Sequence, residues 1–500
     1  MKTGSAILKI DNQRSVALLS IVLLAALGLR LFHLQERVLW FDEANSLLIA
    51  RAGPVEIIDA VRDDTHSPFY YLILHYWQFV AGGETGARLM SVLAGVATVA
   101  VVYSMGCTLA GRGAGLLAAA FLAVCPLHVW YSQEIRMYAL QTLLVALSFL
   151  LMVWALRQQR GALWVGYSVI TALSLYAQYA SLYAVIAQNV FVVIYYWRDH
   201  QKLRHWLMSQ CAVALLFAPW LPVFVSQTRM AMGSSWLGPL EFSRVLAFFS
   251  LFSGAYLGDP HERFVSVAIT GAAVIVPSVV LLRRRESRQF AALLVLWFIL
   301  PVVLLVLQSL NQNRFLPRVL LCTTPPLALL LGCALTQRGK MATRAILVLT
   351  AIVLLIANVY ALQNYYFLEN RWVKSDLREA AGKLAREFRA GDVVVHITES
   401  SFRPFQCYLA ESIGQGMIDP PVYQPHLFGV TGDGRLPQST GEIRRIWLVL
   451  YPDQFHPDLA ETTRNWMNQH HHFVRAVYDS STIFVGLYER QDPQLVPTAK

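Results

Sequence analysis

The stretch Pro68-Phe69-Tyr70-Tyr71-Leu72-Ile73-Leu74-His75-Tyr76-Trp77-Gln78-Phe79-Val80-Ala81-Gly82 decides how this chain is threaded. It is one of twelve apolar runs, which fall near 16–34, 68–82, 88–109, 114–130, 138–156, 162–177, 181–197, 206–225, 263–282, 289–310, 316–335 and 345–363. The run is short, holds His75 and is rich in aromatic rings. A membrane span needs about 20 apolar residues, and aromatic side chains favour the membrane–water interface. Charge settles the assignment. The basic clusters are Lys2/Lys9/Arg14, Arg157/Arg160, Arg198/Lys202/Arg204, Arg283/Arg284/Arg285/Arg288 and Arg338/Lys340/Arg344. All can lie on the cytoplasmic side only if an even number of spans separates each from the first. Twelve spans break that parity after the first cluster; setting 68–82 on the surface restores it throughout. The expectation is eleven spans, N-terminus inside and C-terminus outside.

Composition agrees with this threading. Of the 500 residues 56% are hydrophobic and 14% charged, against about 25% charged in soluble domains. The mean hydropathy is +0.46. The formal charge of +10 sits in short clusters between apolar runs, a pattern of membrane topology rather than of nucleic-acid binding. Cysteine carries no chemistry: there is no CxxC or zinc-type spacing, and Cys407 alone lies in a polar region. The first run is long enough to span and is followed by Leu34-Gln35-Glu36-Arg37 rather than a small-residue cleavage site, so it is expected to remain as the first helix.

The expected fold is therefore an α-helical polytopic membrane domain over 1–363, with outer loops at 35–87 and 226–262, and a C-terminal extracytoplasmic α/β domain over 364–500. In the latter, 375–389 and 458–469 read as helices, and 393–397, 446–451, 473–478 and 482–488 as strands. His470-His471-His472 reads as a solvated helix end. The expected home is the plasma (inner) membrane.

The spans carry almost no charge in their middles. Arg30, His33, Arg88, His128 and Arg318 all fall near expected outer ends. Ion-coupled transporters place ionisable groups near the midplane. A reaction centre at the outer face produces the one-sided pattern instead.

Four motifs lie on that side. They are Trp40-Phe41-Asp42-Glu43, Asp64-Thr65-His66-Ser67-Pro68, Arg88-Leu89-Met90-Ser91 and Ser132-Gln133-Glu134-Ile135-Arg136-Met137-Tyr138; a later Asn313-Arg314-Phe315-Leu316 precedes a helix. In order and spacing they resemble the GT-C glycosyltransferases that use polyprenyl-phosphate sugars, among them protein O-mannosyltransferases and lipid A aminoarabinose transferases. The resemblance covers roughly 15–330. Ser67 stands where the mannosyltransferases have the first Pro of a pair.

The resemblance implies a membrane enzyme that moves a sugar from a polyprenyl-phosphate donor to a hydroxyl on a lipid, glycan or protein acceptor, with Asp42 as general base and Glu43 beside it. The plain alternative is that Asp42-Glu43 caps a surface helix. Arg88 and Arg136, then His66, Arg314 and Arg318, are the expected donor-phosphate partners, because guanidinium matches phosphate with paired donors; rim arginines with their stems in lipid are the rival explanation. Glu134, Tyr138 and Gln178 are candidates for substrate contact. Asp64 and His66 are also a candidate pair for a divalent cation (Mg, Mn or Zn), although two ligands do not complete a site and the chain may equally use none. A lipid-linked glycan flippase, an oligosaccharide polymerase or ligase, and a membrane scaffold for a binding domain stay open as other functions.

Overall fold

In the computed structural model, the described residues are 2–233, 237–254, 260–367, 376–410, 413, 415–417, 445–451 and 457–490. Parts of the expected 226–262 loop and of the C-terminal domain lie outside them. The chain forms two compact units, one of residues 1–34 and 52–371, the other of residues 35–51 and 372–500.

The helices run in chain order as α1 (Lys2–Leu31), α2 (Phe41–Arg51), α3 (Pro54–Arg62), α4 (Phe69–Gln78), α5 (Gly83–Ala110), α6 (Arg112–Ala123), α7 (Pro126–Tyr131), α8 (Tyr138–Gln158), α9 (Gly161–Ala177) and α10 (Ser181–Tyr196). They continue as α11 (His200–Phe217), α12 (Leu221–Gly233), α13 (Phe242–Ser250), α14 (Pro260–Leu282), α15 (Arg288–Ser309), α16 (Thr324–Leu335) and α17 (Met341–Phe367). All but α2 belong to the first unit.

Among the described residues eight helices are long and apolar enough to cross a membrane, and α6, α9 and α10 are shorter apolar helices. These eleven fall on the eleven runs read as spans. The 68–82 run forms only α4, ten residues long, in neither class. Small residues bring the helices close. A Cβ on Gly115 of α6 would lie 2.5 Å from the Tyr103 carbonyl oxygen of α5, and one on Gly332 of α16 would lie 2.5 Å from the Ala114 carbonyl oxygen. Such contacts replace the hydrophobic drive that lipid removes.

Polar contacts sort the helix ends into two sets. At one end the C-terminus of α1, the start of α5, the α7–α8 turn, the α9–α10 turn and the end of α17 are hydrogen-bonded to one another or to shared loops. At the other end Arg157 of α8 donates to the Thr108 carbonyl of α5, and Arg284 after α14 donates to the Arg338 carbonyl after α16. Four of the basic clusters thus mark the second end: Gln289 of α15 meets Tyr196 of α10 there, beside the 198–204 cluster, at 2.7 Å.

The second unit contains α2, α18 (Leu377–Glu387), β1 (Val393–His396), α19 (Glu399–Tyr408), β2 (Gln415–Met417), β3 (Arg445–Leu450), α20 (Pro457–His470), β4 (His471–Asp479) and β5 (Phe484–Arg490). The sheet order is β2-β1-β3-β5-β4, with β1 parallel to β2 and β3 and the β3–β5 and β5–β4 pairs antiparallel. β3 alternates across the sheet. Trp447 and Val449 join Leu377, Leu384 and Phe405 of α18 and α19, whereas Ile446, Leu448 and Leu450 join Met467 of α20. The expected elements are all present with small boundary shifts; α19 and β2 are additions. The histidine run joins α20 directly to β4.

Candidate functional site

The segment after α7 explains how polar groups enter an apolar bundle. Pro126 opens α7, which is too short to bury its own ends, and residues 132–137 form turns before α8 begins. Their side chains supply the missing partners. Ser132 Oγ donates to the His128 carbonyl at 2.6 Å and accepts from Arg30 Nε at 3.2 Å. Arg30 Nη2 donates to His128 Nδ1 at 2.8 Å. Gln133 donates to the carbonyls of Arg30 and Phe32, both at 2.9 Å, and accepts from the Tyr365 hydroxyl at 2.7 Å. Ser132, Gln133, Glu134 and Arg136 are all buried. Gly95 of α5 makes room for this clamp: a Cβ there would lie 2.2 Å from Ser132 Oγ.

The clamp presents Glu134, Arg136 and Tyr138. Trp130 Nε1 donates to Glu134 Oε1 at 2.7 Å. Arg136 Nη2 reaches His66 Nε2 at 3.1 Å, and His66 Nδ1 meets Asp64 Oδ2 at 3.0 Å. A guanidinium can only donate, so Nε2 accepts and the His66 proton sits on Nδ1, pointing at Asp64. The three side chains form a directed chain, Arg136 to His66 to Asp64. Partial burial acts to raise the Asp64 carboxyl. The hydrogen bond from His66, the Thr65 amide and the charge of Arg136 outweigh burial and hold it at about 2.

The Asp64–His66 loop is itself fixed from two sides. Gln227 of α12, which nothing in the sequence singled out, donates to the Val61 carbonyl at 2.6 Å and to the His66 carbonyl at 3.1 Å. Tyr179 donates to Gln227 Oε1 at 2.6 Å and accepts from Trp220 Nε1 at 2.7 Å. Burial pushes the Tyr179 phenol up to about 12, so it remains a donor. Ser67, in place of a proline, donates to the Tyr176 carbonyl. Gln178 sits in the same turn, where its amide donates to the Ser174 carbonyl at 3.1 Å and its carbonyl accepts from Ser181 at 3.0 Å.

Two guanidiniums share one ring. Arg136 lies 5.8 Å and Arg318 5.9 Å from the centre of the Tyr138 ring. Arg318 thus stands beside the 132–138 segment; the Arg314 amide bonds Ser309 Oγ at 3.2 Å. Arg88 is fully buried, with Nη1 2.8 Å from Glu84 Oε1 and 3.3 Å from the Leu34 carbonyl. One helical turn on, Ser91 Oγ is 3.4 Å from the Arg136 carbonyl.

Asp42 and Glu43 belong to the second unit. They fill the first turn of α2, where carboxylates complement the helix dipole. Glu43 is buried and Asp42 partly so.

In this arrangement one His66 nitrogen carries the proton toward Asp64 and the other accepts from Arg136. Among the described residues no three of His, Cys, Asp and Glu gather as a metal site.

The family model for dolichyl-phosphate-mannose-protein mannosyltransferases matches residues 65–223, which include His66, Arg88, Arg136 and Tyr138. Comparison with the curated proteins found no match. Among solved structures, ArnT from Cupriavidus metallidurans bound to undecaprenyl phosphate is similar at a TM-score of 0.61 and 12% identity, covering 97% of this chain and 98% of that one. The Archaeoglobus fulgidus oligosaccharyltransferase, in its apo form, gives 0.52 and 12% over 75% of this chain and 58% of its own. The arabinofuranosyltransferase AftD from mycobacteria gives 0.52 and 15% over 95% of this chain and 40% of its own.

Proposed function

We propose, on the premise that this chain is an integral membrane protein of the GT-C superfamily, that it moves a sugar from a polyprenyl-phosphate donor to an acceptor hydroxyl at the extracytoplasmic face of the inner membrane. The observation that carries this is the Arg136–His66–Asp64 chain, set beside Arg318 at the end of the bundle that also holds buried Arg30 and Arg88. A ligand with a long apolar tail and a phosphate head suits cations at the end of an apolar bundle. ArnT, similar in fold, was solved with such a lipid.

In the proposed reaction Asp42 takes the acceptor proton as its oxygen attacks the anomeric carbon. The bond between that carbon and the phosphate oxygen breaks, and polyprenyl phosphate leaves with the electron pair. Arg136, Arg88 and Arg318 stabilise the charge that develops on the phosphate, as preorganised donors do. His66 and Asp64 aim Arg136, and a carboxyl held at about 2 is too weak a base to be the proton acceptor. Glu134, Tyr138 and Glu43 are assigned to substrate contact, and Gln178 to shaping the turn beside the Asp64 loop. We read the reaction as metal-independent.

The test is turnover of a polyprenyl-phosphate sugar by the purified protein. One polyprenyl phosphate released per glycosylated acceptor supports the proposal. Translocation of the intact donor with no release identifies a flippase, and transfer of a whole chain from a pyrophosphate donor identifies a ligase.

A further inference from the structure

The acidic helix α2 takes its support from the far end of the chain. The main chain of its lead-in is gripped by hydrogen bonds with side chains of α18 and α19. Arg378 donates from Nη1 to the Gln35 carbonyl at 3.1 Å and from Nη2 to the Arg37 carbonyl at 2.6 Å. The Leu39 amide, on a residue only 2% exposed, donates to the Tyr408 hydroxyl at 2.7 Å. Cys407 Sγ donates to the Ala44 carbonyl at 3.7 Å, within the first turn of α2. Val38 packs on the core that Leu377, Phe405, Leu409 and Trp447 form. Arg378 also lies over the Tyr408 ring, 5.8 Å from its centre, so the two grips brace each other.

These contacts act on the backbone of residues 35–44, the stretch that sets where α2 begins and how its first turn is rotated. That first turn carries Asp42. A helix start held by donors and acceptors of fixed geometry cannot pivot without leaving the buried Leu39 amide unsatisfied.

We propose that the C-terminal domain positions the catalytic base: Arg378 and Tyr408 are positioning residues that act on Asp42 through the main chain of its helix. This rests on the assignment of Asp42 as base, and it gives the domain a part in the chemistry besides any contact with the acceptor.

The experiment uses the full-length protein with a polyprenyl-phosphate sugar, measuring kcat and donor KM for Tyr408→Phe, Arg378→Ala, Arg378→Lys and Asp42→Asn, with thermal melting as a check on folding. The expected result is a fall in kcat of about fivefold to thirtyfold for Tyr408→Phe and Arg378→Ala, the loss of one or two net hydrogen bonds, with donor KM within about twofold. Arg378→Lys, which keeps one donor, should recover part of kcat. If folded Tyr408→Phe and Arg378→Ala proteins keep full kcat while Asp42→Asn is inactive, the positioning role is wrong and the base stands. A rise in donor KM that matches the loss of kcat also overturns it. If Asp42→Asn is itself active, the base assignment fails first.

Discussion

Two acidic segments of one sequence loop are held in different ways. Asp64 lies in the bundle unit, and its own carboxylate is the anchored group, bonded to His66 and to the Thr65 amide. Asp42 lies in the α/β unit, and there the main chain around it is anchored, by Arg378, Tyr408 and Cys407. A carboxylate locked as a hydrogen-bond acceptor orients its neighbours and loses basicity. The aiming of a cation is therefore assigned to Asp64, and the proton stays with Asp42 as in the proposed reaction.

The largest expected effect breaks or keeps this contrast outright. Asp42→Asn should lower turnover by about 10²–10⁴-fold, the usual range for a lost general base, and leave donor affinity unchanged. Asp64→Asn should cost far less; the reverse order would exchange the two roles. Next comes Arg136→Ala, which should weaken binding of a polyprenyl phosphate by about tenfold to a hundredfold, as expected when a charge-assisted contact is lost. Isothermal titration in detergent measures it, and unaltered affinity would remove Arg136 from the phosphate site.

A smaller effect sharpens the chain itself. His66→Ala and Asp64→Asn should each reduce kcat/KM by about tenfold, and the double variant by scarcely more, because both act through Arg136. Full additivity would mean separate tasks. The smallest effect is in pH. The Asp64 carboxyl is held at about 2, below its ordinary value, so its contribution is complete above that ordinary value and is lost only as pH falls through about 2. The acid limb of the pH–rate profile above about pH 4 should therefore have the same midpoint in Asp64→Asn as in the natural chain. A displaced midpoint would mean that Asp64 titrates in the working range.

His396 shows the contrast from the other side. It is fully buried against Ser401, Nδ1 to Oγ 3.0 Å, and burial lowers it to about 3, so it is a neutral core residue. His66 is 20% exposed and stands between opposite charges.

Much of the bundle was legible because lipid imposes length and charge rules that act locally. The α4 segment was identifiable as too short to span, and the motifs carrying Asp64, His66 and Arg136 are contiguous. The rest depended on contacts far apart in the chain. No local pattern tells that residues 35–51 fold with 372–500, since Leu39 and Tyr408 meet only in three dimensions. Gln227 looked like any polar residue at a helix end. Arg314 and Arg318 read alike in the sequence, and only the helical turn at 317–323 shows that the later arginine reaches Tyr138. β2 has three residues and α19 contains Pro404, so neither gives a periodic signal.

Both ends of the bundle carry arginines, and the central claim is that a lipid phosphate chooses one of them. Photolabelling with a diazirine-bearing polyprenyl phosphate, followed by peptide mapping, distinguishes the ends. The label should fall on the peptides of His66, Arg136 and Arg318 and be lost in Arg136→Ala. Label concentrated around Arg284 and Arg338, unaffected by that variant, would contradict the claim.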